Sequence, residues 1–166
     1  MINKKANKNN DDLLYSEWVP AGRVVKIVLT STILLFILLI IIISALEPQT
    51  MIYLFIILGS ASIFILFLYW NFRGLNIILT KHQIEIKYGK FNHKVIPLKG
   101  ITRCEITKST FKKYGGIGIR LGFDGSWAYT TDFGDAIKLT YQNKRPFVFS
   151  TRNPEKILDL INNFLK

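Results

Sequence analysis

The chain is poor in the side chains from which metal and redox sites are built. It contains one cysteine, Cys104, and two histidines, His82 and His93, among 166 residues. A single cysteine excludes an intramolecular disulfide, and neither histidine has a cysteine, an aspartate or a second histidine at ligand spacing. We therefore predict a reduced and buried Cys104, solvated histidines, and no metal or cofactor site.

Catalytic constellations are also missing from the sequence. A cluster of glycines is followed by strand-like sequence rather than by a helix, which argues against a phosphate-binding loop; its members are Gly115, Gly116, Gly118 and Gly122. Three aspartates lie in glycine-containing turns, where aspartate is common for backbone reasons, and no nucleophile accompanies them; they are Asp124, Asp132 and Asp135. The sequence predicts a protein that is not an enzyme.

Charge is nearly absent from two long apolar runs, Val24–Leu46 and Met51–Trp70, in which Lys26 is the only charged residue. A helix needs about 20 residues to cross the hydrocarbon core of a bilayer, and each run is long enough. The first run is too long for the apolar region of a signal peptide, which is about 7–15 residues. We predict a multi-pass protein of the plasma membrane with two spanning helices at 24–46 and 51–70.

The flanks of the two runs differ in charge from the segment that joins them. Residues 47–50 contain Glu47 and no base. The outer flanks carry several bases, which are Lys4, Lys5, Lys8, Arg23, Arg73 and Lys81. Because basic residues near membrane helices stay on the cytoplasmic side, both termini are predicted to be cytoplasmic.

These runs divide the chain into three predicted parts. Residues 1–22 form a polar, partly disordered cytoplasmic leader, within which Leu13–Pro20 lies along the membrane interface. Residues 23–72 form the transmembrane hairpin, and residues 73–166 form a β domain. Aromatic and basic residues at the ends of the hairpin are typical interfacial anchors; we assign Trp18, Tyr69, Trp70 and Arg73 to this role.

The last part of the chain has the pattern of short strands followed by one helix. Residues alternate between apolar and polar in segments that are evenly spaced, which is typical of an antiparallel sandwich or barrel; the predicted strands are 75–80, 83–88, 94–98, 101–107, 116–123, 126–131, 136–141 and 147–150. Asn153-Pro154-Glu155 is a helix start, and the apolar stripe after it predicts an amphipathic helix over 154–165 that caps a barrel.

Two membrane helices followed by a small β domain resemble the bacterial pleckstrin-homology-like (PH-like) membrane proteins. The resemblance lies in a few short segments, which are Tyr88-Gly89, Ile96-Pro97-Leu98, Gly118-Ile119-Arg120 and Asn153-Pro154-Glu155. It implies an all-β PH-like barrel of about seven antiparallel strands closed by one C-terminal helix, and it implies no catalytic residues. The loop at Lys81 and His82 is too short to transfer a phosphoinositide site from eukaryotic PH domains.

The β domain is strongly basic. From Asn71 to Lys166 there are seventeen Lys or Arg and seven Asp or Glu, a net charge of +10. A basic domain next to the inner leaflet is attracted by anionic lipid headgroups, whereas no nucleic-acid reader fold is visible. One patch combines bases with aromatics and is a possible membrane-surface contact: Phe111, Lys112, Lys113 and Tyr114. Alternatively, the rings of Phe111 and Tyr114 pack on the barrel instead of contacting the membrane.

The function that these observations favour is that of a docking or assembly module. A barrel edge or the capping helix would contact a protein partner or a second copy of the chain. Two alternatives remain open, namely an accessory subunit of a membrane transport or envelope-stress complex, and a module that binds anionic lipid.

Overall fold

The computed structural model describes residues 12–46, 49, 51–142 and 144–165. Two long apolar helices, α1 (Arg23–Leu46) and α2 (Met51–Asn71), pack against each other as a hairpin. Both are long and apolar enough to cross a membrane, and no residue in the most apolar window of either helix is buried. These exposed apolar surfaces are suited to a lipid environment and would be unstable in water.

Four strands form the first sheet, which is antiparallel throughout. They are β1 (Leu13–Pro20), β2 (Gly74–Thr80), β3 (Gln83–Tyr88) and β4 (Asn92–Pro97), and their spatial order follows their order in sequence. Buried and partly buried residues alternate along β2 and β3, as expected for strands with one face on a core.

Five strands form the second sheet, which a 3-10 turn at Leu98–Gly100 connects to the first. The strands are β5 (Ile101–Ser109), β6 (Gly118–Leu121), β7 (Trp127–Thr130), β8 (Gly134–Tyr141) and β9 (Lys144–Ser150). A one-turn helix, α3 (Phe111–Tyr114), lies between β5 and β6. The spatial order is β5-β8-β9-β7-β6, so that β7 and β9 pair in parallel.

The predicted closed barrel of about seven antiparallel strands is therefore wrong. No ladder joins the two sheets within the described residues, and one of the strand pairs is parallel. Alternation along a strand shows which face it buries but not which strand it pairs with. The β6–β7 hairpin adds to the far side of β9, and this placement cannot be read from the local pattern.

Within the predicted leader, Leu13–Pro20 is the first strand of the β domain, which the sequence pattern did not predict. β1 pairs along its length with β2, and Val19 lies opposite Leu75 while Pro20 lies opposite Gly74. Only Ala21 and Gly22 separate β1 from α1. The helical hairpin is thus an insertion between two neighbouring strands of one sheet.

One hydrophobic core lies between the sheets and under the last helix, α4 (Pro154–Leu165). Ile157 and Ile161 on α4 are fully buried and face β5 and β8. Each large aliphatic side chain buried in this way contributes about 1.5–3 kcal/mol to folding. The centre of the core consists of Leu75, Ile77, Leu79, Ile84, Ile86, Ile137, Leu139 and Phe149.

β1 also holds the start of α4. The buried carboxylate of Glu17 accepts hydrogen bonds from the Thr151 hydroxyl (2.6 Å) and from the Arg152 amide (2.9 Å). Amide groups ahead of a helix lack partners within the helix, and a negative charge there is favourable. The contact joins residues that are more than 130 positions apart and ties the N-terminal strand to the C-terminal helix.

Candidate membrane-facing surface and basic cleft

The hairpin is joined to the sheets by short, hydrogen-bonded connections. The Ala21 amide donates to the Arg73 carbonyl (2.7 Å), and the Gly22 amide donates to the Thr131 carbonyl (2.8 Å). The turn between β3 and β4 packs on the end of α2, since a Cβ at Gly89 would overlap the Asn71 carbonyl oxygen. The sheets are therefore attached directly to the helices, without a flexible linker between them.

Exposed phenylalanines and bases lie at this same end of the domain. Lys90 places its ammonium 3.9 Å from the centre of the Trp70 ring, at the end of α2. Phe91 is 74% exposed, and Phe111 is 67% exposed and packs edge-on against Phe133, two residues beyond the Thr131 contact with Gly22. We call the exposed set Lys90, Phe91, Phe111 and Lys112 the junction face.

The patch predicted at 111–114 divides into two halves. Phe111 and Lys112 are exposed, whereas Tyr114 is only 3% exposed and its hydroxyl lies 3.3 Å from the Ser126 hydroxyl. Lys113 is half-buried and pairs with Asp124 at 3.6 Å. The prediction of Tyr114 as a membrane contact is wrong because one turn of α3 directs it into a small core.

The predicted interfacial anchors lie around the helix–sheet junction. Trp18 is half-exposed on β1, and the Arg73 guanidinium lies 6.0 Å from its ring centre. Tyr69 and Trp70 occupy the last turn of α2. The structure brings Trp18 and Arg73 together, although they are 55 positions apart, because β1 and β2 are neighbours.

A cleft of about 810 Å³ opens between edge strand β4 and the β6–β7–β9 side of the second sheet. Its floor is apolar and aromatic: Ile96 and Phe147 are buried, and the rings of Tyr129 and Phe147 meet edge-on with centres 4.9 Å apart. Its rim carries Trp127 and four bases, which are Lys94, Lys99, Lys144 and Arg145. We call this the basic cleft.

The charge in the basic cleft is uncompensated. No Asp or Glu lines it, and within the part of the chain that the structure describes none of its four bases forms an ion pair. The buried hydroxyl of Tyr141, which also lines the cleft, has no hydrogen-bond partner there. Burial raises the pKa of Tyr141 well above its usual value, so the hydroxyl remains a donor at neutral pH.

The residues with catalytic potential are dispersed or already engaged. Burial raises the pKa of the Cys104 thiol to about 12, so it is not a thiolate near neutrality. Burial would also raise the pKa of Asp124, but hydrogen bonds from Ser126 and the charge of Lys138 outweigh it and hold the pKa below its usual value. Across the described residues, no three His, Cys, Asp or Glu side chains are grouped to hold a metal ion.

Sequence reasoning missed the basic cleft. Its bases belong to β4, to the 3-10 turn and to the start of β9, and they converge only after the two sheets face each other. The signal in the sequence was the excess of bases over acids in the second half of the chain, which does not identify where the surplus is concentrated.

No protein-family model, curated protein sequence or solved structure matches this chain.

Proposed function

We propose that this chain is an integral protein of the plasma membrane that holds a non-catalytic, PH-like β domain against the cytoplasmic surface as a docking module. The observation that carries the proposal is the insertion of the apolar hairpin between the paired strands β1 and β2. A hairpin that starts and ends at one sheet places that sheet at the membrane surface when its helices enter lipid.

The same pairing supports an orientation. Pro20 and Gly74 lie opposite each other, so the start of α1 and the end of α2 are on one side of the bilayer. The bases close to this side, including Arg23, Lys26 and Arg73, favour the cytoplasm, while the connecting segment has none. Both termini are then cytoplasmic.

The junction face is the part of the docking module that contacts the lipid headgroups. Its phenylalanines suit the depth of the headgroup layer, and its lysines are attracted by anionic lipids at about 1 kcal/mol each. Because the connections at Ala21 and Gly22 are short and hydrogen-bonded, this face is presented to the bilayer in one orientation. Little entropy is lost when the face binds headgroups.

The PH-like assignment draws support from two facing sheets and from the amphipathic helix that ends the domain. α4 packs across β5, β8 and the 3-10 turn and covers one end of the core. The open side of the sandwich lies at the basic cleft, where a partner has access to edge strand β4.

Cysteine labelling tests the topology. In a Cys104→Ala background, a cysteine at Gln49 is expected to react with a membrane-impermeant maleimide in intact cells. A cysteine at the exposed position Lys108 is expected to react only after the membrane is permeabilised, because the sheets are placed in the cytoplasm. Labelling of Lys108→Cys in intact cells, at the rate seen for Gln49→Cys, would overturn the orientation.

Fluorescence quenching by lipids tests the junction face. The full chain is placed in nanodiscs that contain headgroup-labelled nitroxide lipid, with a fluorophore on a cysteine at Phe111 or, as the control, at exposed Thr102, which lines the basic cleft. We expect strong quenching at 111 and several-fold weaker quenching at 102, since only Phe111 lies at the end of the domain where the helices join it.

Charge reversal then tests the lipid preference of this face. Lys90→Glu with Lys112→Glu is expected to reduce the quenching at position 111 in discs rich in anionic lipid and to change it little in zwitterionic discs. Equal quenching at 111 and 102 in every disc would contradict membrane contact by the junction face.

A further inference from the structure

The basic cleft combines two features that a docking edge alone does not require. It has an apolar, aromatic lining and a rim with four bases that form no ion pair within the described residues. Its volume of about 810 Å³ falls within the range of about 300–1,000 Å³ that is usual for small-molecule sites.

The floor is suited to a hydrocarbon chain. Ile96 and Phe147 close the base of the cleft and are each 2% exposed, whereas the apolar surface open to a ligand belongs to Val95, Ile119, Trp127 and the half-buried ring of Tyr129. An alkyl chain that lies on this surface is removed from water, at about 0.8 kcal/mol for each methylene buried.

The rim is suited to an anionic headgroup. Lys144 and Arg145 begin β9, Lys94 lies on β4, and all of them face a site that contains no carboxylate. Such bases repel each other until an anion binds among them, and an arginine can hold a phosphate or carboxylate through two parallel hydrogen bonds.

Tyr141 marks the basic end of the cleft. It pairs with Lys144 across the β8–β9 hairpin, so its ring and the basic rim lie at the same end. Its hydroxyl is buried from solvent, so an anion in the cleft is held by the bases rather than by this group.

We propose that the basic cleft binds a single-chain anionic amphiphile, with its phosphate or carboxylate among Lys94, Lys144 and Arg145 and its alkyl chain on the apolar surface of the cleft. This site is separate from the junction face, and its occupant is a discrete ligand rather than the bilayer surface.

Dodecyl phosphate is the probe. The full chain in phosphatidylcholine nanodiscs, with Trp18→Phe and Trp70→Phe, retains Trp127 on the rim as its only tryptophan. We expect saturable quenching or a blue shift of Trp127 after correction for partition into empty discs. Inorganic phosphate at the same concentration is expected to give no response and no competition, and neutral dodecyl maltoside is expected to bind more than about tenfold more weakly.

One double variant and one charge-matched control test the headgroup site. Lys144→Glu with Arg145→Glu is expected to weaken the binding of dodecyl phosphate more than about tenfold. Lys108→Glu with Lys156→Glu changes the net charge equally at exposed positions outside the cleft and is expected to leave affinity unchanged.

The proposal is overturned by any one of three results. Equal affinity in Lys144→Glu/Arg145→Glu and in its charge-matched control would remove the headgroup site. Displacement of dodecyl phosphate by inorganic phosphate alone would show that the apolar floor is not used. Equal binding of dodecyl maltoside would show that the bases are not used. None of these results depends on which side of the membrane the domain occupies.

Discussion

Val19→Asp is expected to destabilise the β domain of the full chain by several kcal/mol at neutral pH. Val19 lies near the end of β1, is 6% exposed and belongs to the main core cluster. A carboxylate at this position is buried without a partner, which costs several kcal/mol, while a domain of this size is stable by about 5–15 kcal/mol. The expected readout is a large fall in the urea concentration at which the domain becomes sensitive to protease, measured in nanodiscs.

Ser16→Asp is the matched control, since it adds the same charge three residues earlier on the same strand. Ser16 is exposed, and its side chain lies on the opposite face of the sheet from Val19. We expect a change within about 0.5 kcal/mol, as for most surface substitutions. If Val19→Asp and Ser16→Asp have equally small effects, residues 13–20 do not form the strand that carries the hairpin insertion.

A charged residue on the inward face explains why β1 was not predicted from the sequence. Along Leu13–Pro20 the inward positions include Tyr15, Glu17 and Val19, so a charged residue interrupts the apolar face. The pattern of alternation therefore predicts a polar segment here. The partner that makes the burial of Glu17 favourable is the start of α4, which lies at the other end of the sequence.

The features that sequence reasoning predicted well are those encoded by neighbouring residues. The two apolar helices follow from run length, and Gln83–Tyr88 and Pro154–Leu165 have the bounds that their alternation and capping residues predict. Features that depend on pairing between distant strands could not be predicted. These include the parallel β7–β9 pair and the convergence of Lys94, Trp127 and Arg145 in one cleft.

The position of the hairpin within the domain has a consequence for assembly in the membrane. β1 is synthesised first, yet it pairs with β2 only after both apolar helices have been made. The first sheet therefore cannot form before the hairpin, and the closure of β1 onto β2 spans a long loop with a corresponding entropic cost. Contacts that hold β1 in place, such as those of Glu17, offset part of that cost.

Glu17→Ala is expected to lower the free energy of unfolding of the domain by about 3 kcal/mol, because hydrogen bonds to a charged group contribute about 1.5–3 kcal/mol each and the Thr151 and Arg152 donors become unpaired. Glu17→Gln retains one acceptor oxygen and loses the favourable charge near the start of α4, so an intermediate loss is expected. Both losses in free energy are measured from the shift in the urea midpoint of protease sensitivity, in nanodiscs as for Val19→Asp.

Glu105→Ala serves as the control for removal of a carboxylate. Glu105 lies on β5 and pairs with Arg103 at 3.0 Å, where the arginine side chain is 73% exposed. Surface ion pairs of this kind contribute about 0–1 kcal/mol. The order of stability is expected to be wild type, Glu105→Ala, Glu17→Gln and then Glu17→Ala. If Glu17→Ala is as stable as Glu105→Ala, the buried carboxylate does not link β1 to α4, and the β1–β2 ladder holds the first strand in the sheet without it.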